Sequence, residues 1–129
     1  MSRKESLYPN PNNKPKGYSP GTHVGLMVFT SGQVAEDAWG NLVGKDDVAA
    51  QARQCFKNIQ TVLALAGAQM SDIAKITCFL TRTEHVLAYA GVRAEWFPAN
   101  GPASSTVIVT ALVSPDYLVE IEAIGTISG

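Results

Sequence analysis

The segment from Asp46 to Thr81 constrains this chain most, because its apolar period changes there from helical to alternating. Asp46 and Asp47 stand where a helix N-cap belongs. Val48, Ala52, Cys55 or Phe56, Ile59, Val62 or Leu63 and Ala66 then recur at helical spacing until Gly67 ends the run. From Asp72 to Thr81 the apolar positions include Ile73, Ile76, Cys78 and Leu80, a strand pattern ending near Arg82. A long helix followed at once by a strand requires a fold that packs helices on a sheet.

The flanks complete the pattern. Residues 1–21 carry Pro9, Pro11, Pro15 and Pro20 among Asn, Lys and Gly, and are read as an extended N-terminal arm ahead of a single domain over 22–129. His23 to Val34 is an apolar run rich in Val, Phe and Thr. Asp37 to Gly40 with Asn41 supplies turn chemistry before Leu42 and Val43, which predicts a hairpin. A second helix is expected from Thr83 to Pro98. Two strands, Ser105–Leu112 and Leu118–Ile127, are joined by the Ser114-Pro115-Asp116 turn. The order is β-β-α-β-α-β-β, an α+β fold with a mixed sheet and two helices on one face. The uncovered face calls for oligomerisation.

With 129 residues the chain suits one domain that buries about two-thirds of its unfolded surface, and 46% apolar composition supplies the core. Net charge is -1, but four of the ten basic side chains and only one of the eleven acidic ones precede residue 21. The body is therefore mildly acidic, without the basic field that draws nucleic acid or an anionic membrane. No apolar run approaches the roughly 20 residues of a membrane span. Cys55 and Cys78 lie in apolar periodic segments without CxxC or Cys/His spacing, which favours reduced, buried thiols and a cytoplasmic setting. His23 and His85 are too far apart for metal-ligand spacing, and no GxGxxG, P-loop or HExxH motif occurs, so no metal and no cofactor are expected.

Two stretches carry a resemblance: Thr30-Ser31-Gly32-Gln33, and Gly101 to Gly125, GPASSTVIVTALVSPDYLVEIEAIG. They resemble the YjgF/RidA family, also labelled endoribonuclease L-PSP, which usually reads TSGQ or VSGQ early and P-A-R-S then E-I-E-A-I late. The resemblance covers almost all of residues 17–127. It implies a chorismate-mutase-like fold, a homotrimer with clefts between subunits, and hydrolysis of reactive enamines and imines. Tyr18, in KGYSPG, matches the family's GPYSQ tyrosine, a phenol that orients ligand or water or else bonds to backbone. Ser31 and Gly32 match the turn that contacts a small polar ligand, or forms a strand end. Glu120 matches the cleft glutamate that polarises the attacking water, with Glu122 on the same strand face; either is otherwise an interface charge.

Two positions depart from the pattern. Ser104 stands where the family's deaminases carry the arginine that grips the substrate carboxylate, while Thr106 lies in the normal range for its place. Ala90 stands where an asparagine is usual, and Arg93 where a tyrosine is. Arg93, one turn from Ala90, is a candidate for taking over anion binding; the alternative is a surface arginine paired with Glu95 or with another subunit. Three functions follow. One is an imine or enamine hydrolase with altered substrate preference, acting on a small enamine, imine or carboxylate-type ligand. Another is a non-catalytic trimer that binds a small ligand or a partner. The third, a ribonuclease or translation inhibitor, fits poorly with the acidic body.

Overall fold

The computed structural model describes residues 3–127. The extreme ends of the arm and of the domain expected at 1–21 and 22–129 lie outside it. Six strands form one sheet: β1 (Glu5–Leu7), β2 (Gly21–Val24), β3 (Met27–Thr30), β4 (Ile73–Leu80), β5 (Ala103–Ile108) and β6 (Val119–Thr126). The spatial order is β1-β2-β3-β6-β4-β5, and only the β4–β5 pairing is parallel. Two helices, α1 (Val48–Leu65) and α2 (Val86–Trp96), pack against each other, and α1 lies on β3 and β6. From β2 onward the element order is the expected one.

The helix α1 forms where its sequence signals say. Asp47 is the N-cap, and its Oδ1 accepts from the Ala50 amide at 3.0 Å. At the other end Gly67 adopts φ +77°, and the Gly67 and Ala68 amides donate back to Ala64 and Leu63 at 3.1 and 3.0 Å. That crossed pair satisfies the last carbonyls. The buried stripe Ala52, Cys55, Phe56, Ile59, Val62 and Leu63 meets Ile76, Cys78, Val119 and Ile121 from the sheet. Phe56 anchors the helix pair, with Tyr89, Trp96 and Phe97 rings at 6.3, 5.9 and 5.6 Å. Replacing Asp47 by alanine removes the cap and is expected to cost about 0.5–2 kcal/mol in a urea titration, with no change in oligomeric state.

One local expectation is corrected. The hairpin is not closed by Asp37–Asn41; it turns at Gly25 and Leu26, inside the apolar run, with Val24 opposite Met27. Gly25 has φ +58°, which a two-residue turn with glycine first requires. The Asp37–Asn41 turn does form, with Asp37 Oδ1 accepting from Trp39 and Asn41 amides at 2.9 Å, yet it joins a single bridge between Glu36 and Leu42. Within the arm, Glu5–Leu7 pair with Gly21–His23 as an added edge strand.

Side-chain alternation leaves the second sheet face without helices. Phe29, Lys75, Thr77, Phe79, Glu120, Glu122 and Ile124 share that face by register, and all but the exposed Glu122 are half-buried. No helix among the described residues is long and apolar enough to cross a membrane.

Candidate functional site

The turn after β3 is held from three sides. The Ser31 amide donates to Pro20 O at 2.8 Å, and its Oγ donates to Ser19 O at 2.6 Å. Beyond it, Gln33 and Ile121 exchange both backbone hydrogen bonds, at 2.8 and 3.0 Å, which locks the turn to β6 beside Glu120. Ser31 thus serves local backbone, the plainer of its two sequence readings, while its position still borders the site. Gly32 is needed for close approach: a Cβ there would stand 2.1 Å from Glu120 Oε2. The Glu120 carboxylate therefore lies against the Gly32 backbone.

Glu120 is half-buried and opposite Phe79 on the uncovered face. Burial first, and the Glu122 charge second, push its carboxyl above the usual carboxylate range. No cation compensates it; the one ion pair among the described residues joins Arg53 to Glu95. A desolvated, unpaired carboxylate with a raised proton affinity can take a proton from water and return it.

Tyr18 is 61% exposed and shares with Ser31 and Gly32 the wall of a groove of about 420 Å³. Gln33, Asn58 and Trp39 also line it, and Trp39, 84% exposed, stands at its edge. Trp96 packs instead on Phe56. Glu120 is not part of this groove wall and meets the turn from the sheet.

The remaining expected residues lie elsewhere. In the parallel register Ser104 pairs with Ile76 and Thr106 with Cys78, so both belong to the helix-covered face of edge strand β5. Ser104 is exposed and Thr106 half-buried. The other face of β5 is marked by Ser105, whose Oγ accepts from Lys75 Nζ at 2.7 Å. One chain thus places Tyr18, Ser31 and Gly32 along the groove with Glu120 against Gly32 from the sheet, Ser104 and Thr106 on the edge strand β5, and Arg93 on α2. It does not bring the three together.

Arg93 does not pair with Glu95. Glu95 is taken by Arg53 in a two-point contact of 3.0 and 2.8 Å, and the Arg93 guanidinium instead lies 5.4 Å over the Tyr89 ring. Tyr89 was not singled out in the sequence, although it stands four residues before Arg93 and shares its helix face. Cys78 has the Tyr89 hydroxyl and then the Arg93 charge as neighbours that act to lower its pKa. Burial dominates and pushes the thiol up to about 12, so it is inert as a nucleophile. Cys55 is pushed higher still by burial. Among the described residues no three His, Cys, Asp or Glu side chains stand together as metal ligands.

Comparison with known proteins gives the same outline. A family model described as endoribonuclease L-PSP matches residues 11–127. The YjgF gene product from E. coli is 32% identical with a TM-score of 0.83, over 95% of this chain and 98% of that one. E. coli TdcF, solved with bound serine, is 31% identical with a TM-score of 0.84, over 96% and 99%. YyfA from Yersinia pestis, of the conserved Rid protein family, is 33% identical with a TM-score of 0.88, over 97% and 100%. The α+β, chorismate-mutase-like architecture is shared with these structures.

Proposed function

The chain belongs to the endoribonuclease L-PSP family, the YjgF/YER057c/UK114 or Rid proteins, and from that premise we propose that it is a cytoplasmic imine and enamine hydrolase whose substrate preference differs from that of arginine-bearing members. The observation that carries this reading is the Glu120 carboxylate, half-buried, unpaired and seated on the Gly32 backbone. Glu120 takes a proton from a water molecule as its oxygen adds to the imine carbon. Glu120 returns that proton to the nitrogen, giving a carbinolamine, and then relays the hydroxyl proton to the amine as the C–N bond breaks, so that ammonia leaves a carbonyl product.

The working unit is a homotrimer in which the turn of one subunit, with Tyr18, Ser31, Gly32 and Glu120, faces the β5 edge of the next, with Ser104 and Thr106. The half-buried face bearing Phe29, Phe79 and Ile124 and the unpaired edge of β5 support assembly, because apolar faces and free strand edges need cover. E. coli TdcF with bound serine supports a small, carboxylate-bearing ligand, since a protein of this fold holds one. Ser104 favours a second reading, a non-catalytic trimer that keeps the cleft to bind a small ligand or a partner. A hydroxyl cannot make the paired charge-assisted bonds of a guanidinium, and losing such a buried contact costs about 2–5 kcal/mol.

Ammonia release from a panel of freshly generated imines and enamines separates the two. Wild type is expected to accelerate release from members of the panel, and Ser104→Arg to shift preference toward 2-aminoacrylate. No acceleration by wild type with any member would establish the binding role instead.

A further inference from the structure

We infer that the groove between the arm, the loop 31–40 and α1 is a second ligand site, separate from the Glu120 carboxylate, and that it takes a protonated primary amine on an alkyl stem. Its volume of about 420 Å³ falls in the range of small-molecule sites, about 300–1,000 Å³. Glu120 is outside its wall, on the sheet side of Gly32. Three carboxamides on the wall are oriented by the backbone they hold. Asn58 Nδ2 donates to Val34 O and Glu36 O at 3.0 and 2.9 Å, Gln54 Nε2 to Glu36 O at 3.3 Å and Asn58 Oδ1 at 2.8 Å, and Gln33 Nε2 to Ser31 O at 3.2 Å. A backbone carbonyl only accepts, so each amide is fixed with its nitrogen spent on the loop. The Oε1 atoms of Gln33 and Gln54 receive no hydrogen bond among the described residues.

The carboxylates beside them are half used. Glu36 accepts the Tyr117 hydroxyl on Oε1, and Asp37 accepts the Trp39 and Asn41 amides on Oδ1, which leaves one oxygen of each open. Lys57, exposed, is the only cation on the wall against these two half-buried carboxylates. The chemistry of the occupant follows. Unspent acceptors call for N–H donors and excess negative charge calls for a cation, which together specify an ammonium rather than a carboxylate, a phosphate or a neutral alcohol. Two aromatic side chains agree with this. Tyr18 is 61% and Trp39 84% exposed on the same groove, and aromatic rings attract a cation while covering an apolar stem. A quaternary ammonium would meet the rings but leave the acceptors empty, so a primary amine matches the wall.

Nitrogen–proton correlation NMR of the assembled protein, titrated at low ionic strength with n-butylammonium chloride, 1-butanol or tetramethylammonium chloride, tests the assignment. Butylammonium is expected to give saturable shifts at the Trp39 indole and the Gln33, Gln54 and Asn58 side-chain amides, with tetramethylammonium weaker and 1-butanol weakest. Trp39→Ala is expected to weaken butylammonium binding about 2- to 30-fold, the worth of one cation–π contact. Asp37→Asn keeps an oxygen for the Trp39 and Asn41 amides while removing the charge, and is expected to weaken butylammonium about 2- to 5-fold with 1-butanol unchanged. No saturable shift in the groove, equal affinity for butylammonium and 1-butanol, or wild-type affinity in both variants overturns the site. Tighter binding of tetramethylammonium than of butylammonium overturns the primary amine as its ligand. Glu120→Gln is expected to bind butylammonium as wild type does; a loss there would place the ligand at the Glu120 carboxylate and overturn a separate site.

Discussion

Exchanging Glu120 for glutamine is expected to slow imine hydrolysis about 100- to 10,000-fold, the range attributed to a positioned general base, while making the folded protein more stable at neutral pH. Both effects have one origin. Burial and Glu122 raise the Glu120 pKa in the folded state above its unfolded value. Stability linked to that group is fully present below the unfolded pKa and is lost as pH rises through the raised folded pKa. At neutral pH the ionised carboxylate therefore opposes folding, and the neutral amide relieves it. Thermal melts of wild type and Glu120→Gln are expected to coincide near pH 4 more closely than at pH 7, where the variant melts higher. The acid limb of the wild-type rate profile is expected above the ordinary carboxylate range. A variant that melts lower at pH 7 would mean that Glu120 is a stabilising interface charge.

Gly32→Ala is expected to lower turnover about 100-fold, since a displacement of about 1 Å in a reacting group costs that much. The added Cβ would stand 2.1 Å from Oε2, 2.7 Å from Cδ and 3.0 Å from Cγ of Glu120. These atoms are the free end of a flexible side chain, so the carboxylate swings aside and the backbone stays. The melting temperature is expected to change little, and the fall to appear in kcat. An unchanged kcat would show that the carboxylate does not act from this position.

Much of the fold was legible because local and long-range signals agree in α1, β4 and β6. The cap at Asp47, the stop at Gly67 and the buried stripe between them all specify the same helix. The hairpin was misplaced because turn residues announce a reversal without saying whether strands flank it. Asp37–Asn41 carries the stronger turn chemistry, yet Gly25 alone suffices for a two-residue reversal within an apolar run. Strand β5 stops at Ile108 although Val109 to Leu112 remain mostly apolar, because its partner β4 ends at Leu80 and offers nothing beyond one bond to Val109.

The site was legible only through the resemblance, and in pieces. No spacing rule connects Gly32 with Glu120, which meet because Gln33 and Ile121 pair across the sheet. The weighed alternative of an Arg93–Glu95 pair fails because side chains two apart on a helix point in different directions; Glu95 meets Arg53 of α1 instead. The Tyr89 ring packs on Phe56. Its hydroxyl neighbours Cys78 and Arg93 only once α2 is docked on the sheet.

The most direct test of the central claim is the ammonia released by wild type and Glu120→Gln, side by side, from one freshly generated imine that the panel shows to be accepted. The account predicts release by wild type well above the uncatalysed rate and release by the variant close to it. Equal acceleration by both proteins would contradict it, because water activation would then not depend on the carboxylate seated on Gly32.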